Sequence, residues 1–124
     1  ALTERRRALA AAYGSALAHL PIVRPMEGPG HRHVYHLYVL RLADRQTREG
    51  LRQHMAAVGV MAGIHYALPV HRQQAYAGWI GTGEMTHTEA IADTILSLPL
   101  YPELSDADQV RVVEAITSFF SQRP

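Results

Sequence analysis

An α+β fold is expected from these 124 residues: a small, mainly antiparallel sheet of about three strands packed against helices. Three observations predict it. Segments with apolar residues at three- and four-residue steps alternate with short runs rich in β-branched and aromatic residues. Proline or glycine punctuates almost every junction. The segments between the candidate strands are long enough for crossovers as well as antiparallel returns, and a chain of this length builds one core.

From Leu2 to Leu20, the recurrence of Leu9, Ala12, Tyr13, Ala16, Leu17 and Leu20 predicts an amphipathic helix, with Thr3 or an upstream residue as its cap. Pro21, Pro25, Gly28, Pro29 and Gly30 then mark a loop. His33 to Leu42 reads as a strand, with Val34, His36, Tyr38, Leu40 and Leu42 on one face and Tyr35, Leu37, Val39 and Arg41 on the other. Bulky residues on both faces call for cover on both sides, helices on one and another domain on the other. Thr47 is the expected N-cap of a helix whose Leu51, Met55 and Val58 share a face, and Gly59 suits its left-handed end.

A short strand, Val60 to His65, is expected next, closed by Pro69. His71 to Ala77 follows as a helical turn or a short helix, before Gly78, Gly81 and Gly83 loosen the chain. Thr86 and Glu89 have capping-box spacing for a short helix to Asp93. Ile95 to Leu100 reads as the last strand, ended by Pro99 and Pro102. Ser105 with Asp108 opens a final helix that points Val110, Val113, Ile116 and Phe120 inward. The first, second and last helices are expected on one face of the sheet.

Composition narrows the function classes. Hydrophobic residues at 48% and charged residues at 19% suit a soluble globular domain, and no apolar run approaches the roughly 20 residues a membrane helix needs. A net charge of +1 is too balanced for an electrostatic trap, so neither nucleic acid nor membrane is an expected partner. Arg5, Arg6 and Arg7 read as a solvated helix face, with an anion or partner contact as the alternative. Without cysteine or a secretion-signal pattern, the expected compartment is the cytoplasm. A start at Ala1 that runs straight into helical sequence is expected of a segment of something longer.

Eight histidines are the main enrichment, and imidazole is the usual acid, base or metal ligand near neutrality. His31 and His33 would share one strand face and His36 the other, while no cysteine or carboxylate stands at ligand spacing. Surface or hydrogen-bonded histidines are therefore set against a metal pair, and no metal is expected. His65 ends an apolar strand after Gly63, where side chains reach into clefts; its alternative is a buried, satisfied histidine. His71 follows just beyond Pro69. The nucleophile-elbow, phosphate-loop and dinucleotide motifs are missing, and Gly81-Thr82-Gly83 reads as a flexible turn.

Three stretches taken together carry more. His33-Val34-Tyr35-His36-Leu37-Tyr38-Val39-Leu40-Arg41, then Gly63-Ile64-His65-Tyr66 with Pro69 and His71, then Leu96-Ser97-Leu98-Pro99-Leu100-Tyr101-Pro102 stand in an order and spacing similar to the C-terminal third of the DegT/DnrJ/StrS sugar aminotransferases. The resemblance covers nearly the whole chain. It implies the small C-terminal domain of a fold type I enzyme dependent on pyridoxal 5'-phosphate (PLP), with residues 1–124 as one domain and the catalytic large domain absent. It implies transfer of an amino group from glutamate or glutamine to a keto sugar, usually carried on a nucleoside diphosphate, in antibiotic or polysaccharide biosynthesis.

The PLP lysine of the family lies in the preceding, larger domain, and all twelve basic residues here are arginines. The partners implied are that large domain, a second subunit, the keto-sugar nucleotide and the amino donor. His65 resembles the family histidine at the substrate mouth, with Tyr66, His71, Tyr35 and His36 as further substrate contacts and no catalytic residue of this chain's own. Tyr35, His65 and Tyr66 are then expected on one accessible concave side. The chain departs from the pattern at Ala67, where proline often follows His-Tyr. The rival readings are a non-catalytic binding or regulatory module that keeps the fold, and a metal-binding domain using the histidine-rich loop.

Overall fold

Tyr38 pairs with Leu98 and Leu40 with Leu96 across two short antiparallel strands, β1 (Tyr38–Arg41) and β2 (Ile95–Leu98), in a computed structural model that describes residues 1–76, 78 and 85–122. The pleat sends these four side chains to one face and Val39, Arg41, Ile95 and Ser97 to the other. Three helices cover the first face: α1 (Leu2–Ala16) through Ala10, Tyr13 and the following Leu17, α2 (Arg45–Ala57) through Leu51 and Met55, and α4 (Asp106–Ser121) through Val112, Ala115 and Ile116. A fourth helix, α3 (Thr86–Thr94), runs directly into β2. This is the expected α+β arrangement. Burying a large aliphatic side chain contributes about 1.5–3 kcal/mol, against about 0–1 kcal/mol for an exposed ion pair, so this core decides the fold.

The third strand is not formed. Val60 to His65 meets β2 only at an isolated antiparallel bridge, Gly63 with Ser97, just as Val23 meets Arg41 on the other edge. β1 also starts later than expected. Tyr35 has φ +48°, which interrupts the extended run, and its amide donates to Nδ1 of His33 at 2.8 Å. Residues 31–37 are therefore a loop, and Val34 and His36 are exposed rather than on a sheet face. On β1 itself Val39 is half-buried and Arg41 exposed, so the second face carries far less apolar surface than a ten-residue strand would.

Capping and phase differ in detail. α1 stops at Ala16, with Ala12 exposed and Leu9, Ala10, Tyr13 and Leu17 forming the buried stripe; no side chain caps its start. Asp44, not Thr47, caps α2, its carboxylate accepting from the Thr47 amide at 2.6 Å. Val58 lies beyond the helix and is exposed, while Gly59 has the expected positive φ of 79°. In α4 the stripe is Gln109, Val112, Ala115 and Ile116, which leaves Val110 exposed and Val113 and Phe120 half-buried. Gln109 enters the core because its amide donates to the Leu9 carbonyl at 2.7 Å. Ser105 caps α4 as expected, accepting from the Asp108 amide and donating to its carboxylate.

Residues 70–76 form two 3₁₀ turns, Val70–Arg72 and Gln74–Tyr76, in place of one helical turn. Ala77, Gly81 and Gly83, with the expected Gly81-Thr82-Gly83 turn, lie outside the described residues. α3 has no side-chain cap at all, and Glu89 turns its carboxylate toward His71 and Arg72. β2 ends at Leu98, before Pro99, whose carbonyl accepts the Tyr13 hydroxyl at 2.9 Å. Burial raises the pKa of that phenol, so it stays a neutral donor joining α1 to the strand end. Two members of the arginine cluster make internal ties rather than lying on a free face: Arg5 donates to the Leu104 carbonyl at 2.8 Å, and Arg7 to Glu27 and, at 2.6 Å, to the His33 carbonyl.

Candidate functional site

The site is built on the face of β2 that points away from the helix-covered core. Ser97 exchanges two backbone hydrogen bonds with Gly63, at 2.7 and 3.0 Å, and this pair pins the 60–66 segment alongside the strand. Two residues on, His65 folds back over Gly63, and its Nδ1 lies 2.9 Å from the Ser97 hydroxyl. Glycine leaves room for the ring in this position, because a Cβ at position 63 would stand 2.7 Å from the His65 ring carbon Cε1. Tyr66 follows across a cis peptide, its ring edge-on to His65 at 5.6 Å between centroids, with 74% of its surface exposed.

His65 and Tyr66 border a cavity of about 270 Å³, closed by Leu68, Pro69 and Val70 on one side and by Thr88, Ile91 and Ile95 on the other. The wall contributed by residues 70–76 is fastened to α3. His71 Nε2 lies 2.9 Å from Glu89 Oε1, and Arg72 donates to the same oxygen at 2.9 Å. The hydrogen bonds from His71 and Arg72 hold the Glu89 carboxyl below the ordinary carboxylate value. A second cavity of about 280 Å³ lies beside Gly59, Tyr101 and Arg111, where Arg111 and Asp108 face each other at 3.6 Å.

Of the five residues singled out in the sequence, the structure brings two together, His65 and Tyr66. His71 stands behind the cavity wall with its side chain only 9% exposed and one ring nitrogen engaged by Glu89. Tyr35 lies on the helix-covered side, its ring 6.3 Å from that of Tyr38 and 4.2 Å from His33. His36, exposed, belongs to the same loop. Tyr35 therefore does not share one concave side with His65 and Tyr66. Ser97, Gly63 and Glu89 were not anticipated. The Gly63–His65 spacing hinted at a close approach, but the Ser97 contact depends on strand register, which no local pattern encodes. Among the described residues no group of three or more histidine, cysteine or acidic side chains is placed to hold a metal. No helix among them is long and apolar enough to cross a membrane.

Comparison with known proteins gives this geometry a context. Residues 1–117 match the DegT/DnrJ/EryC1/StrS aminotransferase family. The chain is 40% identical over 114 residues to the dTDP-3-amino-3,4,6-trideoxy-alpha-D-glucose transaminase of Streptomyces venezuelae, covering 90% of this chain and 29% of the relative. It superposes on S. venezuelae DesV, solved in complex with a ketimine intermediate, with a TM-score of 0.89 and 38% identity over 99% of this chain and 33% of that one. NtdA of Bacillus subtilis, solved with bound cofactor PMP, gives a TM-score of 0.85 at 26% identity, over 98% of this chain and 29% of that one. The chain thus spans about a third of the length of the relatives it matches.

Proposed function

The chain belongs to the DegT/DnrJ/EryC1/StrS aminotransferase family, and we propose that it is the C-terminal small domain of a PLP-dependent enzyme that aminates a keto sugar carried on a nucleoside diphosphate, with glutamate or glutamine as donor. The observation that carries this reading is His65, held by Ser97 and Gly63 at the mouth of a cavity. The nucleotide-sugar name of the 40% identical relative supports the substrate class.

These 124 residues do not fit PLP as an imine partner, since they contain no lysine. Cofactor retention falls to a preceding large domain, and the part played here is substrate placement. A cavity of about 270 Å³ is below the roughly 300–1,000 Å³ of a complete small-molecule site, so it takes one portion of a sugar nucleotide and leaves the remainder to other surfaces. The His65 imidazole and the Tyr66 phenol hydrogen-bond sugar hydroxyl or phosphate oxygens there. His71 acts through the wall that it and Glu89 hold. Tyr35 and His36 serve a separate contact with the nucleotide, the large domain or a second subunit. The lack of cysteine agrees with a cytoplasmic enzyme.

The test is His65→Asn in the full-length enzyme, with the two half-reactions measured separately. The sugar half-reaction is expected to fall about two- to tenfold, the range for one lost hydrogen bond, and the donor half-reaction to change less. Equal effects on both, or on neither, return His65 to a structural role. The full-length coding sequence provides an independent check, since the reading requires an upstream domain with a PLP lysine.

A further inference from the structure

We propose that Ser97 is a positioning residue that fixes His65 as its Nε2–H tautomer, so that the imidazole offers the substrate a hydrogen-bond donor and selects an oxygen acceptor; this rests on the assignment of His65 to the sugar nucleotide. Ser97 is 4% exposed, and among the described residues its hydroxyl has one hydrogen-bond partner, Nδ1 of His65 at 2.9 Å. A hydroxyl has a single proton. If Nδ1 carried hydrogen and donated to Oγ, the hydroxyl proton would be buried without an acceptor, a cost of the kind folded proteins avoid. If the hydroxyl donates to Nδ1, only lone pairs go unfilled. The neutral ring then keeps its one N–H on Nε2, which has no partner among the described residues and belongs to an exposed side chain.

The backbone bridge keeps the His65 segment in register with Ser97. Gly63 and Ser97 are bonded to each other in both directions, and the ring edge lies so close to Gly63 that a Cβ there would be 2.7 Å from Cε1. Turning the ring over would place a carbon against the buried hydroxyl and remove its one partner. The occupant of the Nε2 position is accordingly a phosphate, hydroxyl or carbonyl oxygen, and an ammonium group is disfavoured because it has no lone pair to offer.

The experiment uses the full-length holoenzyme with ¹⁵N-labelled histidine, His65 being assigned through its loss in His65→Asn. In the unmodified protein Nδ1 should resonate as a pyridine-type nitrogen and Nε2 as a pyrrole-type one. Ser97→Ala should move both toward the average of the two tautomers and slow the sugar half-reaction about two- to tenfold, more than the donor half-reaction. Ser97→Thr, which keeps the hydroxyl, should restore the nitrogen pattern. Amide exchange at Gly63 reports whether the backbone bridge survives in each variant. A pyrrole-type Nδ1 in the unmodified protein, or an unchanged pattern in a folded Ser97→Ala, overturns the proposal. If His65→Asn impairs the sugar half-reaction while Ser97→Ala alters neither spectrum nor rate, the positioning role alone has failed. If Ser97→Ala shifts the spectrum and His65→Asn leaves both half-reactions intact, positioning by Ser97 stands and the substrate role of His65 has failed.

Discussion

Gly63 is where one methyl group decides the site. In Gly63→Ala the new Cβ would meet the His65 ring at 2.7 Å, and the ring, being exposed, swings away at the expense of its bond to Ser97. The expected cost is about 0.5–1.5 kcal/mol, the value of one hydrogen bond, with loss of sugar half-reaction comparable to that of His65→Asn. Denaturant midpoints and half-reaction rates check it; an unchanged His65–Ser97 contact in the variant would refute the steric argument. The position of His65 and Tyr66 beside a cavity was legible in the sequence because a glycine before them and a turn proline after them mark a chain reversal, although the strand expected to carry them is reduced to one bridge. Tyr35 was misplaced for a definite reason: alternation assigned it to a strand, whereas its positive φ turns the ring back onto Tyr38. A hydrogen bond from its amide to the His33 ring supports that turn, and no periodic pattern reports such a bond.

At the scale of elements, helix starts show how local chemistry is shared among competing residues. Asp44 and Thr47 are both capping residue types, and the carboxylate wins because its oxygen reaches the Thr47 amide while Thr47 itself is 8% exposed. Asp44→Ala and Ser105→Ala are each expected to cost about 1 kcal/mol in a denaturant titration, with Thr47→Val costing less than Asp44→Ala. Glu89 is the contrasting case, since the capping-box spacing is present but the carboxylate serves His71 and Arg72 instead. Its folded pKa is depressed, first by the hydrogen bond from His71 and then by that from Arg72. The stabilisation is therefore complete above the ordinary carboxylate pKa and is lost as pH falls through the lower folded value. Glu89→Gln should be less stable than the parent chain at neutral pH, and the gap should close as pH is lowered through the depressed folded value. A gap that is constant across that range would remove the carboxylate from the link between the 70–76 turns and α3. The helices and the last strand were readable from apolar period and punctuation, and their displaced ends and phases reflect tertiary choices such as the Gln109–Leu9 bond.

For the whole molecule, the asymmetry of the sheet carries the remaining consequence. α1, α2 and α4 close one face into a continuous core, whereas the other is bordered by the 60–76 segment, which exposes Met61 at 74%, Tyr66 at 74%, Leu68 at 52% and Val70 at 55%. Tyr66, Leu68, Val70 and the partly exposed Ile91 border a single cavity, so this apolar surface is gathered rather than scattered. Gathered apolar surface beyond a few hundred Å² marks an interaction face more often than an idle one. A net charge of +1 supplies little repulsion to keep copies apart. On the proposed reading, the large domain and a second subunit would cover this side. Taken alone, the 124-residue chain should show a concentration-dependent rise in apparent mass by light scattering and should bind a hydrophobic dye. Tyr66→Ser with Leu68→Ser, both at exposed positions, should reduce both signals without lowering the unfolding midpoint by more than about 0.5 kcal/mol equivalent. With no lysine to form an imine, the same preparation should give no saturable, borohydride-trappable PLP adduct away from its N-terminal amine. A monomer that ignores the dye at every concentration would mean that the apolar rim of the cavity is too small to require a partner.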